Sequence, residues 1–262
     1  MKLSQKVVVV TGATAGIGWA TAVSFAQAGA TVVATGRRQE RLDALLAALP
    51  AGSHLAIAGD IQDPAFPTVL VAQTVATLGR VDVLVNNAGL RQQHPLADIP
   101  HEAVEKVFNT NVLGLLQMAQ AVIPPMRQQG GGHIVNVSSI VGQRPLPGGV
   151  VYAASKTAVN FLSRGLRFEL KRDNIRVTTV YPGLTATEFA DVRLGQQGVN
   201  RFGLRGVPAE RVGRAMVRAV ENGRSECYIT WFDWLFSHLN RLFPRTLDTL
   251  LAQIAYWDNT TR

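Results

Sequence analysis

Of 262 residues only Cys227 is a cysteine. One thiol closes no intramolecular disulfide and supplies no thiolate cluster, a pattern that suits a reducing compartment. Long apolar runs are missing as well. The four valines Val7–Val10 stop at Thr11 and Gly12, too short for a secretory h-region, and no stretch reaches the roughly 20 residues that span a bilayer. The expectation is a cytoplasmic protein without a membrane span. Lysine is scarce too: of 26 basic residues five are lysine (Lys2, Lys6, Lys106, Lys156 and Lys171). The excess of basic over 18 acidic residues gives a formal charge of +8, which raises the question of an anionic partner. The arginines are scattered, however, without the interleaved aromatics on which nucleic-acid bases stack. The densest group, Arg164, Arg167, Lys171, Arg172 and Arg176, is offset by Glu169 and Asp173. No nucleic-acid partner is expected, and most of these charges read as solvated surface. The five histidines, His54, His94, His101, His133 and His238, show no ligand spacing, so no metal site is expected.

What is present is apolar and periodic. Hydrophobic residues make up 47% of the chain, enough for one large core. Short β-branched runs, from Lys6–Val10 through Thr31–Thr35, Leu55–Ala58, Val81–Val85, His133–Val137 and Ile175–Val180 to Tyr228–Thr230, alternate with helix-length segments. The helix candidates are Ile17–Ala28, Gln39–Leu49, Ala65–Leu78, Val104–Arg127, Tyr152–Lys171 and Pro208–Glu221. Several strands are apolar throughout, as in parallel sheets buried on both faces. The fold class is therefore α/β: one doubly wound parallel sheet of about seven strands with helices on both faces. Two segments escape the alternation, the polar, glycine-rich stretch Glu188–Val207 and the tail from Trp231 to Arg262. A loop of the first kind is usually a lid or disordered.

"TGATAGIG", Thr11–Gly18, joins the first strand to the first helix. Gly12, Gly16 and Gly18 allow a sharp turn, close approach to a pyrophosphate and tight helix packing, and the helix N-terminus offers N–H groups to the anion. Thr14 and Ile17 belong to the same cradle. The second strand ends "ATGRRQER". A site for NAD normally has an acidic residue here to bind the ribose hydroxyls. This chain has Gly36 followed by Arg37 and Arg38, and a guanidinium pairs with a 2′-phosphate that a carboxylate would repel. NADP(H) is the expected cofactor, with Arg37 as principal reader and Arg38 assisting.

"YAASK" sets Tyr152 and Lys156 four residues apart, on one face of a helix. A phenol is a weak base at neutral pH, and a nearby cation stabilises phenolate. Thirteen and fourteen residues upstream stand Ser139 and Ser138 at a strand end; "NNAG", Asn86–Gly89, follows another strand. With "NVLG" (Asn111–Gly114) and "YPGLTAT" (Tyr181–Thr187), this ordered set resembles the classical short-chain dehydrogenase/reductase family from about Ser4 to Thr230. The resemblance implies a Rossmann-type sheet of order 3-2-1-4-5-6-7 and a catalytic tetrad of Asn111, Ser139, Tyr152 and Lys156. In it Tyr152 protonates a carbonyl oxygen, Ser139 orients that oxygen, Lys156 binds the nicotinamide ribose and lowers the tyrosine pKa, and Asn111 holds a water. An alternative for Asn111 is a residue bonded locally that bends its helix. The resemblance also assigns Asp60 and Ile61 to the adenine, with a helix-flanking cap as the rival role of Asp60. Asn87, Ala88 and Gly89 go to the adenosine ribose, and Pro182, Gly183, Thr185 and Thr187 to the nicotinamide end.

The expected function is interconversion of a ketone or aldehyde and an alcohol by hydride transfer. A non-catalytic NADP(H)-sensing regulator on the same fold is the alternative, though such a protein would be expected to lose Tyr152 or Lys156; epimerase or dehydratase chemistry needs a longer chain. The substrate is a small carbonyl compound or alcohol, with Arg91–Leu96, Gln143–Val150 and Glu188–Val207 as pocket candidates. Residues 1–230 form the expected catalytic domain. In the tail, Leu235, Leu239, Leu242 and Phe243, then Leu247, Leu250, Leu251 and Ile254 beyond Pro244, repeat at helical spacing and imply two short amphipathic helices. They pack on the domain or a sister subunit, or touch a membrane surface through their aromatics. A homodimer or homotetramer through the two long helices is the family expectation.

Overall fold

The computed structural model describes residues 1–146, 148–188, 194–195 and 206–256. Strands β1 (Val7–Thr11), β2 (Thr31–Gly36), β3 (Leu55–Ala58), β4 (Val83–Asn86), β5 (Gly132–Val137), β6 (Ile175–Tyr181) and β7 (Glu226–Tyr228) form one sheet in the order 3-2-1-4-5-6-7. Every pairing is parallel, from Val7 against Thr31 in β1–β2 to Cys227 against Val180 in β7–β6. Helices α1 (Gly16–Gln27), α2 (Gln39–Ala48), α3 (Phe66–Leu78), α4 (His101–Phe108), α5 (Leu115–Gln128), α6 (Val150–Glu169) and α7 (Ala209–Glu221) connect them. Two pairs of two-residue strands lie outside this sheet, Gln92–Gln93 with Leu194–Gly195 and Thr185–Ala186 with Val207–Pro208.

The valine run of β1 is explained by burial on both sides. Val8 and Val10 pack with Phe25 of α1 and Val212 and Met216 of α7. Val7 and Val9 face the opposite layer with Met118 and Val122 of α5 and Leu170 after α6. Period-2 alternation thus divides one apolar strand between two cores. Thr11 ends the run at the carboxyl edge of the sheet, next to the point where the strand order reverses between β1 and β4. That crevice is where open α/β sheets bind ligands.

The long helix expected at Val104–Arg127 runs continuously from His101 to Gln128 but is not α-helical throughout. Between α4 and α5 the backbone widens into a π-turn over Asn109–Gly114. Gly114 backs directly onto Ile61: a Cβ there would stand 2.9 Å from Ile61 Cδ1 and 3.0 Å from its carbonyl oxygen. The extra residue in the turn keeps that close approach while turning Asn111 inward, where it is 1% exposed.

The tail forms α8 (Trp231–Leu242) and α9 (Pro244–Tyr256). Thr230 and Asp233 make a capping box, each side chain bonded to the other's backbone N–H. Proline at the first position of α9 separates the helices without costing a hydrogen bond. Trp231, Phe232, Trp234, Leu242 and Phe243 remain exposed. The tail residues beyond Tyr256, Trp257 among them, lie outside the described residues, as do Pro147 and most of the Glu188–Val207 stretch. No helix among the described residues is long and apolar enough to cross a membrane, and no group of three potential metal ligands stands together among them.

Candidate active site

The glycine loop is shaped by backbone contacts that no side chain could share. Gly12 has φ +64° and Gly16 φ +54°, the left-handed region that favours glycine. A Cβ on Gly12 would stand 2.8 Å from the Cα of Ala88; on Gly18 it would fall on the Gly12 carbonyl. At Gly16 it would meet Thr187 Cβ at 3.1 Å, so the segment after β6 closes over the loop. Helix α1 begins there with no side-chain cap and no acidic residue in its first turn. Its amides and positive dipole end stay available to an anion. The cradle therefore fits a pyrophosphate.

The segment after β4 is fastened to this loop through Thr11, a residue the motif reading passed over. Thr11 Oγ1 accepts from Asn87 N and Ala88 N, both at 3.0 Å, and donates to Val85 O at 3.3 Å. Asn87 Nδ2 donates to the carbonyls of Thr11 and Gly12 at 2.9 and 3.2 Å. A buried relay behind it, Asn86 Nδ2 to Asn136 Oδ1 and Asn136 Nδ2 to Ser163 Oγ, ties β4, β5 and α6 together. Gln or Asn at a strand position that pattern alone would make apolar is the signal for such a relay.

The two arginines after β2 take different roles. Arg37 is well exposed and its Nη1 lies 3.7 Å from Asp60 Oδ2. Arg38 turns back to the glycine loop, donating from Nη2 to Thr14 Oγ1 at 2.9 Å. Gly36 permits this, since a Cβ would stand 2.7 Å from Thr14 Cγ2. Asp60 Oδ1 accepts from Gln62 N at 3.0 Å, the local turn bond of a helix-flanking aspartate. Ile61, next to it, is buried against Gly114.

The four residues of the tetrad converge at the carboxyl ends of β4 and β5. Ser138 is 3% exposed and spends its hydroxyl on Asn160 Oδ1 at 2.6 Å and Lys156 O at 3.1 Å. Ser139, alternate to it, opens toward the cleft, where its hydroxyl bonds Tyr152 and donates to Pro182 O at 3.3 Å. Lys156 is buried; Nζ donates to Val137 O at 2.8 Å and stands 5.8 Å from the Tyr152 ring centre. Burial pushes the Tyr152 phenol up to about 12, opposed by the charge of Arg91 and the Ser139 bond. Burial alone pulls Lys156 down to about 8. The positive charge of Arg91 thus acts on the phenol in addition to Lys156, which stands one helical turn away.

Asn111 is committed on three sides. Oδ1 accepts from Leu90 N at 2.7 Å, and Nδ2 donates to Leu90 O and Ser155 Oγ, both at 2.9 Å. Ser155 Oγ in turn donates to Tyr152 O at 2.7 Å. With both amide hydrogens used, one lone pair of Oδ1 is left. A Cβ on Gly89 would lie 3.2 Å from that oxygen and 3.6 Å from Lys156 Nζ, so the glycine keeps open the space between the two groups. Pro182 and Gly183 follow β6, with Gly183 against Asp233 of α8; Thr185 Oγ1 donates to Gly183 O at 3.3 Å.

A phosphate cradle at the sheet's switch point, with Tyr, Lys and Ser at its open end, defines a dehydrogenase-type site. Residues 6–197 match the model of the short chain dehydrogenase family, and the chain belongs to that family. It is 39% identical over 238 residues to the NADP-dependent 3-hydroxy acid dehydrogenase YdfG of Shigella flexneri, covering 89% of this chain and 91% of that one. It is 40% identical over 192 residues to a 3alpha-hydroxysteroid dehydrogenase of Mediterraneibacter gnavus, with 72% and 77% covered. Among solved structures, a short chain dehydrogenase/reductase from Burkholderia phymatum in complex with NAD superposes with TM-score 0.82 at 25% identity, covering 92% of this chain and 94% of that one. The closed form of a serine dehydrogenase complexed with NADP+ gives 0.77 at 37%, with 82% and 88% covered.

Proposed function

We propose that the chain is an NADP(H)-dependent oxidoreductase that interconverts a ketone or aldehyde and the corresponding alcohol, with Tyr152 as the general acid and base. The observation that carries this reading is the Tyr152 hydroxyl, bonded to Ser139 in a cleft that Lys156 and Asn111 border. Gly12, Thr14, Gly16, Ile17 and Gly18 would hold the pyrophosphate, and Arg37 with Arg38 the 2′-phosphate. Asp60 and Ile61 would meet the adenine, Asn87, Ala88 and Gly89 its ribose, and Pro182, Gly183, Thr185 and Thr187 the nicotinamide end. When bound, NADPH supplies the hydride that reduces the carbonyl carbon.

The protein's own part is proton handling. With its pKa raised to about 12, Tyr152 carries its proton at neutral pH and donates it to the carbonyl oxygen during reduction. Ser139 donates to the same oxygen and holds it in line. Lys156, near 8 by burial, is mostly charged at neutral pH; it holds the nicotinamide ribose and returns a proton toward Tyr152. In alcohol oxidation the same phenol must accept a proton, and the charges of Arg91 and Lys156 assist its ionisation. The free lone pair of Asn111 accepts from a water that links Lys156 to solvent.

The relatives' names span a hydroxy acid and a hydroxysteroid, so loss of NADPH absorbance with 3-oxo acids and 3-oxo steroids is the first assay. Tyr152→Phe is expected to slow turnover about 100- to 10,000-fold. Turnover within tenfold of wild type in that variant would refute the mechanism. A wild type that binds NADPH yet turns over no carbonyl compound would favour a sensor. Phe161 and Phe168, exposed on α6, support contact with a second copy, which light scattering of Phe168→Glu would test by loss of the oligomer.

A further inference from the structure

Helices α8 and α9 reach directly into the active-site frame. Ser139 caps a single 3-10 turn, Ile140–Gly142, accepting from Val141 N at 3.4 Å. The far end of this turn is held on two sides. Toward α6, Gly142 O accepts from Thr157 Oγ1 at 2.8 Å and Asn160 Nδ2 at 3.0 Å. Toward the tail, Asn240 of α8 donates from Nδ2 to Gln143 O at 2.8 Å and accepts on Oδ1 from Arg144 Nη1 at 3.2 Å. Asp248 of α9 pairs with the other Arg144 nitrogen, Nη2. Arg144 itself is 9% exposed.

The helix that carries Asn240 is seated by independent contacts. Tyr228 at the end of β7 accepts from Gln143 Nε2 at 3.0 Å. Its ring stacks on Tyr181 at 4.7 Å and contacts His238 of α8, which stacks on Trp234 at 4.2 Å. Asp233 fills the space beside Gly183. The tilted Tyr228–His238 contact, 6.1 Å between ring centres, joins α8 to β7, and the amide of Asn240 meets two partners with defined directions. One side chain satisfying both a backbone carbonyl and a buried guanidinium leaves little freedom to the segment between them.

We propose that α8 and α9 are positioning elements of the active site: Asn240 and Asp248, acting through Gln143 and Arg144, hold the turn that opens at Ser139. Freed at residues 143 and 144, the turn would let the Ser139 hydroxyl drift from the Tyr152 oxygen. A displacement near 1 Å at such a group costs up to about 100-fold in rate. The kinetic part of this inference rests on the proposed carbonyl reduction; the structural part does not.

Full-length Asn240→Ala tests both. Amide hydrogen exchange across residues 139–146 is expected to quicken about tenfold or more. kcat is expected to fall about tenfold while NADPH affinity stays within twofold. In a Ser139→Ala background the same substitution should cost less than twofold, because its route to the chemistry is already gone. Unchanged exchange would overturn the proposal; so would an equal kcat loss in both backgrounds, or a loss of NADPH affinity in step with kcat. Should Asn240→Ala fail to fold, Asp248→Asn at its exposed position should show the same pattern more weakly, with Asp248→Glu restoring wild-type rates. A wild type without carbonyl reduction would refute the proposed function, and hydrogen exchange would still decide whether the tail holds the turn.

Discussion

Thr11→Val removes one hydroxyl and little else. The side chain is 1% exposed, and valine keeps its shape and volume, so packing in β1 survives. Ala88 N loses its acceptor at 3.0 Å, whereas Asn87 N loses one of two and keeps Val85 O at 3.0 Å. A buried donor left without a partner costs about 1–3 kcal/mol. Asn87 and Ala88 are only partly buried, so water reaches them in some measure and the lower half of that range applies. The expected loss is about 1–2 kcal/mol, read as a lower urea midpoint with an unchanged slope. Thr11→Ser keeps the hydroxyl and deletes one methyl group, a loss of about 1 kcal/mol. The valine variant should also bind NADPH several-fold more weakly, since its loosened segment is the one assigned to the adenosine ribose. A Thr11→Val variant within about 0.5 kcal/mol of wild type, or a Thr11→Ser variant more damaged than it, would refute this role of the hydroxyl.

Gly18→Ala sets a methyl group 2.8 Å from the Gly12 carbonyl carbon, against backbone that cannot give way; soluble variant should show NADPH binding lost in titration, and unaltered affinity would refute the close-packing argument. Arg37→Glu should weaken NADPH about 10- to 100-fold, the worth of one charge-assisted bond to phosphate, while NADH changes less than threefold. An unchanged ratio of the two affinities would pass the role to Arg38. His133 is buried, bonded to Thr178 Oγ1 at 2.7 Å, and held down at about 4 by burial first, then by the charges of Arg176 and the N-terminus. The unfolded histidine titrates near 6.5, so the stability of the neutral form is complete above that pH. It is lost as pH falls through about 4, some 3 kcal/mol in all. Unfolding measured across that window should have a slope about one proton shallower in His133→Gln, and an identical slope would exclude His133 as its source.

Much of the site was legible because short local patterns specify it. Gly12 and Gly16 supply a left-handed backbone conformation that glycine favours, and Gly18 lies only a short loop away from the Gly12 carbonyl it packs on. The four-residue spacing of Tyr152 and Lys156 puts both on one helix face, and strand alternation separates Ser139 from Ser138. The valine runs announced strands buried on two faces, and the turn between the tail helices was visible at Pro244. The π-turn at Asn109–Gly114 was hidden, because it arises from contacts of Asn111 and Gly114 with Leu90, Ser155 and Ile61, on segments distant in sequence. Thr11 was hidden for the same reason: its three hydroxyl partners lie 74, 76 and 77 residues away.

The sequence by itself determined the layer architecture, the strand order through its family resemblance, and the residue types that meet at the cofactor cradle. These follow from periodicity and backbone preference, which act over a few residues. Only the tertiary structure decided which charges reach which groups. It turned Arg38 back onto Thr14 and left Arg37 beside Asp60, and it brought the charge of Arg91 to bear on the Tyr152 phenol. It also brought the C-terminal helices against the turn after Ser139. Electrostatic and hydrogen-bond partners depend on distances across the fold, and those distances exist only once both cores have closed around the sheet.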